Sequence, residues 1–111
     1  MIVDMKSDAP LVCNMNVFTS AERELHVRNI TELFQHVENV QEMTNSYKFI
    51  FPDKTEIIPR LGEFISKERL CCSFLEFKLI VSQKDEPIYL ILAGPEGTPE
   101  FLRAEFSEAF V

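Results

Sequence analysis

The sequence lacks tryptophan and has only three glycines and three cysteines among its 111 residues. Three is an odd number, and Cys71 and Cys72 are adjacent. Small secreted domains that depend on disulfides have an even number of spaced cysteines, so the chain does not fit that class. Hydrophobic residues make up 46% of the chain and include ten Phe, which is enough for one core without disulfides. We therefore predict a single domain, residues 1–111, with residues 1–12 as an N-terminal arm.

Long apolar runs and clusters of basic residues are missing as well. No stretch approaches the ~18 apolar residues that a membrane span requires, and residues 1–6 lack the features of a signal peptide. The formal net charge is -7, and an acidic surface repels the phosphate backbone of nucleic acids. We expect a cytoplasmic protein that binds neither nucleic acid nor a membrane and whose thiols start out reduced.

The first predicted helix begins at a capping box. Thr19 and Glu22 have the required spacing, and apolar residues at helical spacing continue to about His36. This apolar stripe comprises Leu25, Val27, Ile30, Leu33, Phe34 and Val37. His26 lies one turn after Glu22, where the two could act as an acid–base pair. We interpret His26 instead as an exposed residue on the helix surface.

Two further helices are predicted from caps and prolines. Thr55 is the expected cap of the second helix, and Pro59 falls in its first turn, where a missing N–H is tolerated. This helix ends near the cysteine pair. Thr98 as cap and Pro99 at the first helical position begin the third helix.

Four strands are predicted between these helices. Residues 40–44 and 47–51 form one pair, and residues 75–81 and 88–93 form the other. Strict alternation makes 75–81 the clearest strand of the chain. The order α-ββ-α-ββ-α predicts an α+β fold, in which helices pack on one face of a four-stranded, mainly antiparallel sheet.

The other face of such a sheet is open, and small domains of this kind often cover it by dimerising. Tyr47, Phe49 and Phe51 give the second strand an aromatic face. We expect that face to suit a homodimer interface.

The cysteine pair is the strongest chemical feature of the sequence. Glu68 precedes Cys71 by three residues and Cys72 by four, which places the three side chains on one helix face. Consecutive Cα atoms are about 3.8 Å apart, whereas disulfides need about 4.4–6.8 Å, so a bond between these neighbours is disfavoured. The negative end of the helix dipole and Glu68 should make the thiols less acidic than a catalytic cysteine. This argues against an activated nucleophile but not against a soft metal ion, which displaces the proton itself.

Cys13 could complete a site, because it precedes the first helix in a segment that is free to lie beside the second. Two or three thiolates suit Cu(I) or Zn(II), and Hg(II) and As(III) are also thiophilic. Zinc prefers four ligands. The candidates for the fourth ligand are His26, His36 and Glu68.

The candidate metal ligands are therefore Cys71, Cys72, Cys13 and Glu68, and no catalytic residue is identified. Three interpretations stay open: a site for a metal or metalloid, a thiol-redox or nucleophilic site, and a structural or dimer-forming domain whose thiols fill its core. The residue types favour a protein without enzymatic activity, but they do not exclude an enzyme.

Residues 68–77, E-R-L-C-C-S-F-L-E-F, resemble the signature E-R-x-C-C-P-F-[LF]-x-F of a family of small bacterial proteins. Residues 92–97 and 101–102 resemble its later motifs, L-x-G-P-x-G and F-[LI]. Members often have a cysteine where Cys13 stands, and Ser73 replaces the usual proline. The similarity covers roughly residues 11–103.

The family has no established activity, and its genes can lie near genes for resistance to mercury or other heavy metals. The resemblance thus favours a metal or metalloid ligand. The matched candidate residues are Cys13, Glu68, Cys71 and Cys72.

Overall fold

The structure is a computed structural model that describes residues 11–110. Its elements are a 3-10 helix (Met15–Val17), α1 (Ser20–Phe34), β1 (Asn39–Met43), β2 (Ser46–Phe51), α2 (Ile57–Cys71), β3 (Glu76–Val81), β4 (Ile88–Ala93), α3 (Thr98–Glu105) and a second 3-10 helix (Ser107–Phe110). The predicted α+β fold and its order α-ββ-α-ββ-α are confirmed. The predicted arm lies outside the described residues except for Leu11 and Val12, which belong to no helix or strand.

The sheet has the strand order β1-β2-β4-β3, and each neighbouring pair is antiparallel. Strands β2 and β4 occupy the centre, so the two predicted hairpins are joined along their inner strands. Within residues 11–110, no helix combines the length and the apolar character that crossing a membrane requires.

The predicted capping box of α1 is confirmed. The Glu22 carboxylate accepts a hydrogen bond from the Thr19 backbone N–H at 2.8 Å, and the Thr19 hydroxyl accepts one from the Glu22 backbone N–H at 3.1 Å. These bonds satisfy two backbone donors that the first turn of a helix leaves without partners.

The predicted apolar stripe of α1 is wrong at its N-terminal end. Leu25 and Val27 are half exposed, whereas His26 between them is only 4% exposed. The row that faces the core instead starts at the buried His26 and continues through the partly buried Ile30 to the buried Leu33, at spacings of four and three residues that keep side chains on one helix face.

Both other predicted caps are wrong as well. Helix α2 is preceded by Glu56, which makes no side-chain capping bond, so Thr55 is not its cap. Helix α3 is preceded by Gly97 at φ 96°, and Thr98 is its first residue. A left-handed backbone strains any residue with a side chain, and glycine adopts it freely.

The aromatic face of the second strand does not lie on the open side of the sheet, where we expected a homodimer interface. Tyr47, Phe49 and Phe51 are buried against the helices, so the aromatic face belongs to the core and is not the open face. The expected interface is therefore wrong, although the homodimer itself stays a prediction. Strand β3 is an edge strand, which leaves Leu79 and Val81 36% and 48% exposed.

Phe34 joins the helices to the sheet. Its ring stacks on the Phe106 ring at a centroid distance of 4.8 Å and contacts Phe49 and Phe64 edge-on, each at 5.2 Å. These rings come from α1, from β2, from α2 and from the residue after α3. One side chain thus links four parts of the chain that are far apart in sequence.

We expect Phe34→Ala to lower the free energy of unfolding by about 3–5 kcal/mol, because a buried ring is replaced by a cavity. Leu79→Ala, at the exposed edge strand, is the control and should cost less than about 1 kcal/mol. Urea denaturation of both variants measures the difference. Equal losses would show that Phe34 is not a central residue of the core.

Candidate thiol and metal site

The segment that carries Cys13 is held against the end of α2. The Asn14 backbone N–H donates to the Cys71 carbonyl at 2.7 Å, and the Asn14 side chain caps the following 3-10 helix by accepting from Asn16 N–H at 3.0 Å. Cys13 therefore lies beside the second helix, the position that the sequence left open to it.

The C-terminal end of α2 supplies the other three residues. The Cys72 backbone N–H donates to the Glu68 carbonyl at 2.8 Å, which closes the last helical turn. Glu68, Cys71 and Cys72 are all at most 3% exposed. The predicted common face of these residues exists, and it points into the protein.

The four predicted candidates converge on one point. One donor atom from each of Cys13, Glu68, Cys71 and Cys72 lies within 4.8 Å of the other three. The Cys71 and Cys72 sulfurs are 3.8 Å apart, and the Cys72 sulfur lies 3.0 Å from Glu68 Oε2. His36, a predicted alternative ligand that follows the end of α1, is not part of this group.

Cys13 and Cys72 are paired as a disulfide, and their Cα atoms are 4.3 Å apart. Cys71 is the free cysteine. This pairing differs from the expectation of three reduced thiols, and it joins residues separated by 59 positions rather than the two neighbours. Because the bond was formed between segments distant in the sequence, no local spacing indicated it.

His26, predicted to be exposed on the helix surface, is instead a buried residue of the site. Its Nε2 lies 2.8 Å from Glu68 Oε1, and both side chains are 3% exposed. The imidazole ring also packs between Phe18 and Phe64, at centroid distances of 5.3 and 6.3 Å. The pairing follows a general rule, because a buried polar group needs a partner inside the protein.

The two oxygens of the Glu68 carboxylate therefore have different neighbours. Oε1 faces His26, whereas Oε2 lies 3.0 Å from the Cys72 sulfur. A disulfide sulfur carries no hydrogen and cannot donate. In the paired state, Oε2 is thus aimed at an atom that offers neither a proton nor a positive charge.

Burial, followed by the negative charge of Glu68, raises the pKa of the Cys71 thiol to about 12. The predicted low acidity of the thiols is confirmed for Cys71, although burial contributes more than the charge that the sequence indicated. Burial and the charge of Glu68 also raise the pKa of the Glu105 carboxyl.

A cavity of about 100 Å³ adjoins the site. Its walls include Cys13, Cys71 and Glu68 together with Met15 and Glu105. Met15 and Glu105 were not identified from the sequence, since neither has a motif spacing that relates it to the cysteines. The cavity leaves room beside the donor atoms, and in the part of the chain that the structure describes no Lys or Arg side chain lines it.

No family model matches the chain, and no curated protein or solved structure is significantly similar to it. The geometry of the site is therefore the basis on which a function can be assigned.

The thiol arrangement leads to a labelling prediction. In the non-reduced native protein at pH 8, iodoacetamide should fail to label Cys71, because the thiol is buried and about one molecule in ten thousand is ionised at that pH. After unfolding in guanidinium, one thiol should react, and after reduction, three. Mass spectrometry counts the labels. Rapid labelling of the native protein would contradict the buried position of Cys71.

A second prediction concerns the His26–Glu68 pair. His26→Leu should lower the free energy of unfolding by about 3–5 kcal/mol, because it leaves a buried carboxylate without its partner. The double variant with Glu68→Leu should lose less than the sum of the single losses. Urea denaturation of the four proteins gives the coupling energy.

The exposed Arg60–Glu32 pair, with an N–O distance of 3.1 Å, provides a matched control. Its cycle of alanine variants should give a coupling energy below about 1 kcal/mol. Coupling as small at His26–Glu68 would mean that the two buried side chains do not depend on each other.

Proposed function

We propose that the reduced protein binds a thiophilic metal or metalloid ion through Cys13, Cys71, Cys72 and Glu68. The observation that carries this proposal is the convergence of three sulfurs and one carboxylate oxygen within 4.8 Å. A set dominated by sulfur suits soft and borderline ions such as Hg(II), Cu(I), Zn(II) and As(III). Glu68 adds the oxygen ligand that a four-coordinate ion requires.

The sulfur spacing supports the proposal. Two thiolates that each lie about 2.3 Å from a tetrahedral zinc ion are about 3.8 Å apart, and the Cys71 and Cys72 sulfurs are separated by 3.8 Å. Helix α2 thus presents two of the ligands at the distance that coordination requires.

The charge of the surroundings favours a cation. Glu68 and Glu105 both line the adjoining cavity, and no basic side chain among residues 11–110 lines it. A cation would stabilise these carboxylates and would replace the Cys72 thiol proton beside Glu68 Oε2 in the reduced protein. An oxyanion would meet like charge.

The binding state requires reduced thiols, and the cytoplasm keeps thiols reduced through glutathione and thioredoxin. A cytoplasmic location therefore belongs to the proposal. His26 would act through Glu68, because a hydrogen bond to one carboxylate oxygen fixes the direction of the other, as partners of ligands do in known metal sites.

A thiol-redox function is the second candidate, and the Cys13–Cys72 disulfide is the observation that favours it. The third thiol does not support catalysis, because the raised pKa of Cys71 keeps it protonated near neutral pH. The structural alternative, in which the thiols only fill the core of a domain or of a homodimer, predicts no bound ion.

The proposal predicts that the reduced protein binds one ion per chain when it is titrated with Hg(II), Zn(II), Cu(I) or As(III). Native mass spectrometry gives the stoichiometry, and competition with a chelator gives the affinity. Cys13→Ala, Cys71→Ala, Cys72→Ala and Glu68→Gln should each weaken binding at least about tenfold, since each removes a ligand.

Two variants serve as matched controls. Ser73→Ala changes the exposed residue next to the pair, and Glu63→Gln removes an exposed carboxylate from the same helix. Both should bind as the wild type does, and circular dichroism checks that every variant folds. No adduct, or an adduct that survives Cys71→Ala and Cys72→Ala, would refute the proposal.

A further inference from the structure

We infer that ion binding at this site is controlled by oxidation: formation of the Cys13–Cys72 disulfide expels the ion, and its reduction restores the site. This inference rests on the proposed function. It goes further by giving the site two mutually exclusive states, a disulfide state and a reduced state that binds the ion. A peroxide would convert the reduced state into the disulfide state, and a cellular thiol would reverse the change.

The two states compete for the same atoms. Cys13 and Cys72 belong both to the group of four donors and to the disulfide. Once they are bonded to each other, only Cys71 and the Glu68 carboxylate remain. Two ligands are too few for zinc, which prefers four, and Hg(II) would lose two of its three sulfur ligands, so oxidation removes most of the donor set.

The structural change between the states is small. Bonded sulfurs are about 2.05 Å apart, and thiolates on a tetrahedral ion are about 3.8 Å apart, so Cys13 and Cys72 need to separate by less than about 2 Å. Cys13 lies in a segment without helix or strand, whereas the other three residues lie at the end of α2. The movement can therefore be confined to the Cys13 side.

The Glu68 carboxylate distinguishes the two states. In the disulfide state, Oε2 points at a sulfur 3.0 Å away that has no hydrogen to donate. In the reduced state, the Cys72 thiol can donate to Oε2, and a cation can replace that proton. The oxygen is thus oriented for the reduced and the ion-bound forms, which favours a disulfide that opens readily.

The reaction balances with a peroxide as the oxidant. The Cys13 and Cys72 thiols together lose two protons and two electrons, and one S–S bond forms. Hydrogen peroxide takes up those two electrons and two protons. Its O–O bond breaks, and two water molecules leave. Two molecules of a small thiol reverse the change: they supply two electrons and two protons and become a disulfide.

Linkage makes the effect reciprocal. If oxidation abolishes binding, a bound ion must protect the thiols from oxidation. At a free ion concentration of 100 times Kd, the reactive free site is about 100-fold less populated. Disulfide formation should slow by the same factor.

The test compares the wild-type protein reduced, oxidised with hydrogen peroxide, and reduced again. Zn(II) and Hg(II) are offered in parallel, and binding is read by native mass spectrometry and chelator competition. We expect at least 100-fold weaker binding after oxidation and full recovery after reduction. Peptide mapping should find the Cys13–Cys72 bond, and an ion at 100 times Kd should slow its formation about 100-fold.

Cys71→Ser separates the roles of the thiols. It keeps both disulfide partners, so oxidation should form the same bond, although the variant binds the ion more weakly. A bond that maps to Cys71 in the wild type, unchanged affinity after oxidation, or no protection by a bound ion would overturn the inference. If the reduced wild type binds neither ion, the proposed function fails as well. If the reduced wild type binds but the oxidised protein binds equally, the inference alone fails.

Discussion

The arrangement around the thiols depends on one buried carboxylate. Glu68 is 2% exposed, and burying a carboxylate is unfavourable unless the protein supplies hydrogen-bond donors or positive charge. Its hydrogen-bond partners come from two helices: His26 from α1 and the Cys71 thiol from the end of α2. The Cys72 sulfur lies beside Oε2, and its bond to Cys13 adds a third segment of the chain to the surroundings of this one group.

The same contact connects the site to the core. His26 packs between Phe18 and Phe64, and Phe64 packs against Phe34, the ring that links the helices to the sheet. The position of Glu68 Oε1 is thus fixed by aromatic packing, whereas Cys13 lies in a segment attached to α2 by a backbone hydrogen bond. The site thus combines residues at the end of α2 with one residue from a segment that is neither helix nor strand, and the proposed switch between a reduced and a disulfide state requires only the latter to shift.

Local patterns in the sequence predicted the fold and the members of the donor group, but not their contacts. The Thr19–Glu22 capping box and the spacing of Glu68 to the cysteines are governed by neighbours within one helical turn, so they could be identified without tertiary information. The pairing of Cys13 and the burial of His26 depend on how α1 lies against α2. The sequence did contain a signal for the burial of His26, because Ile30 follows His26 by four residues and Leu33 follows Ile30 by three. The half-exposed Leu25 and Val27 obscured this signal by widening the apparent stripe. The exposure of β3 could not be predicted either, since alternation does not distinguish an edge strand from a central one.

The geometry of the site explains why one of the three cysteines stays free. With three thiols within reach of one another, any single disulfide leaves one thiol behind, and the backbone disfavours the pair of neighbours. Cys71, whose carbonyl already accepts the bond from Asn14, is the residue left over. Burial leaves its thiol neutral, so the protein has no internal nucleophile suited to opening the Cys13–Cys72 bond. In the proposed switch the reducing equivalents therefore come from outside the chain, so the state of the site would follow the redox conditions of its surroundings.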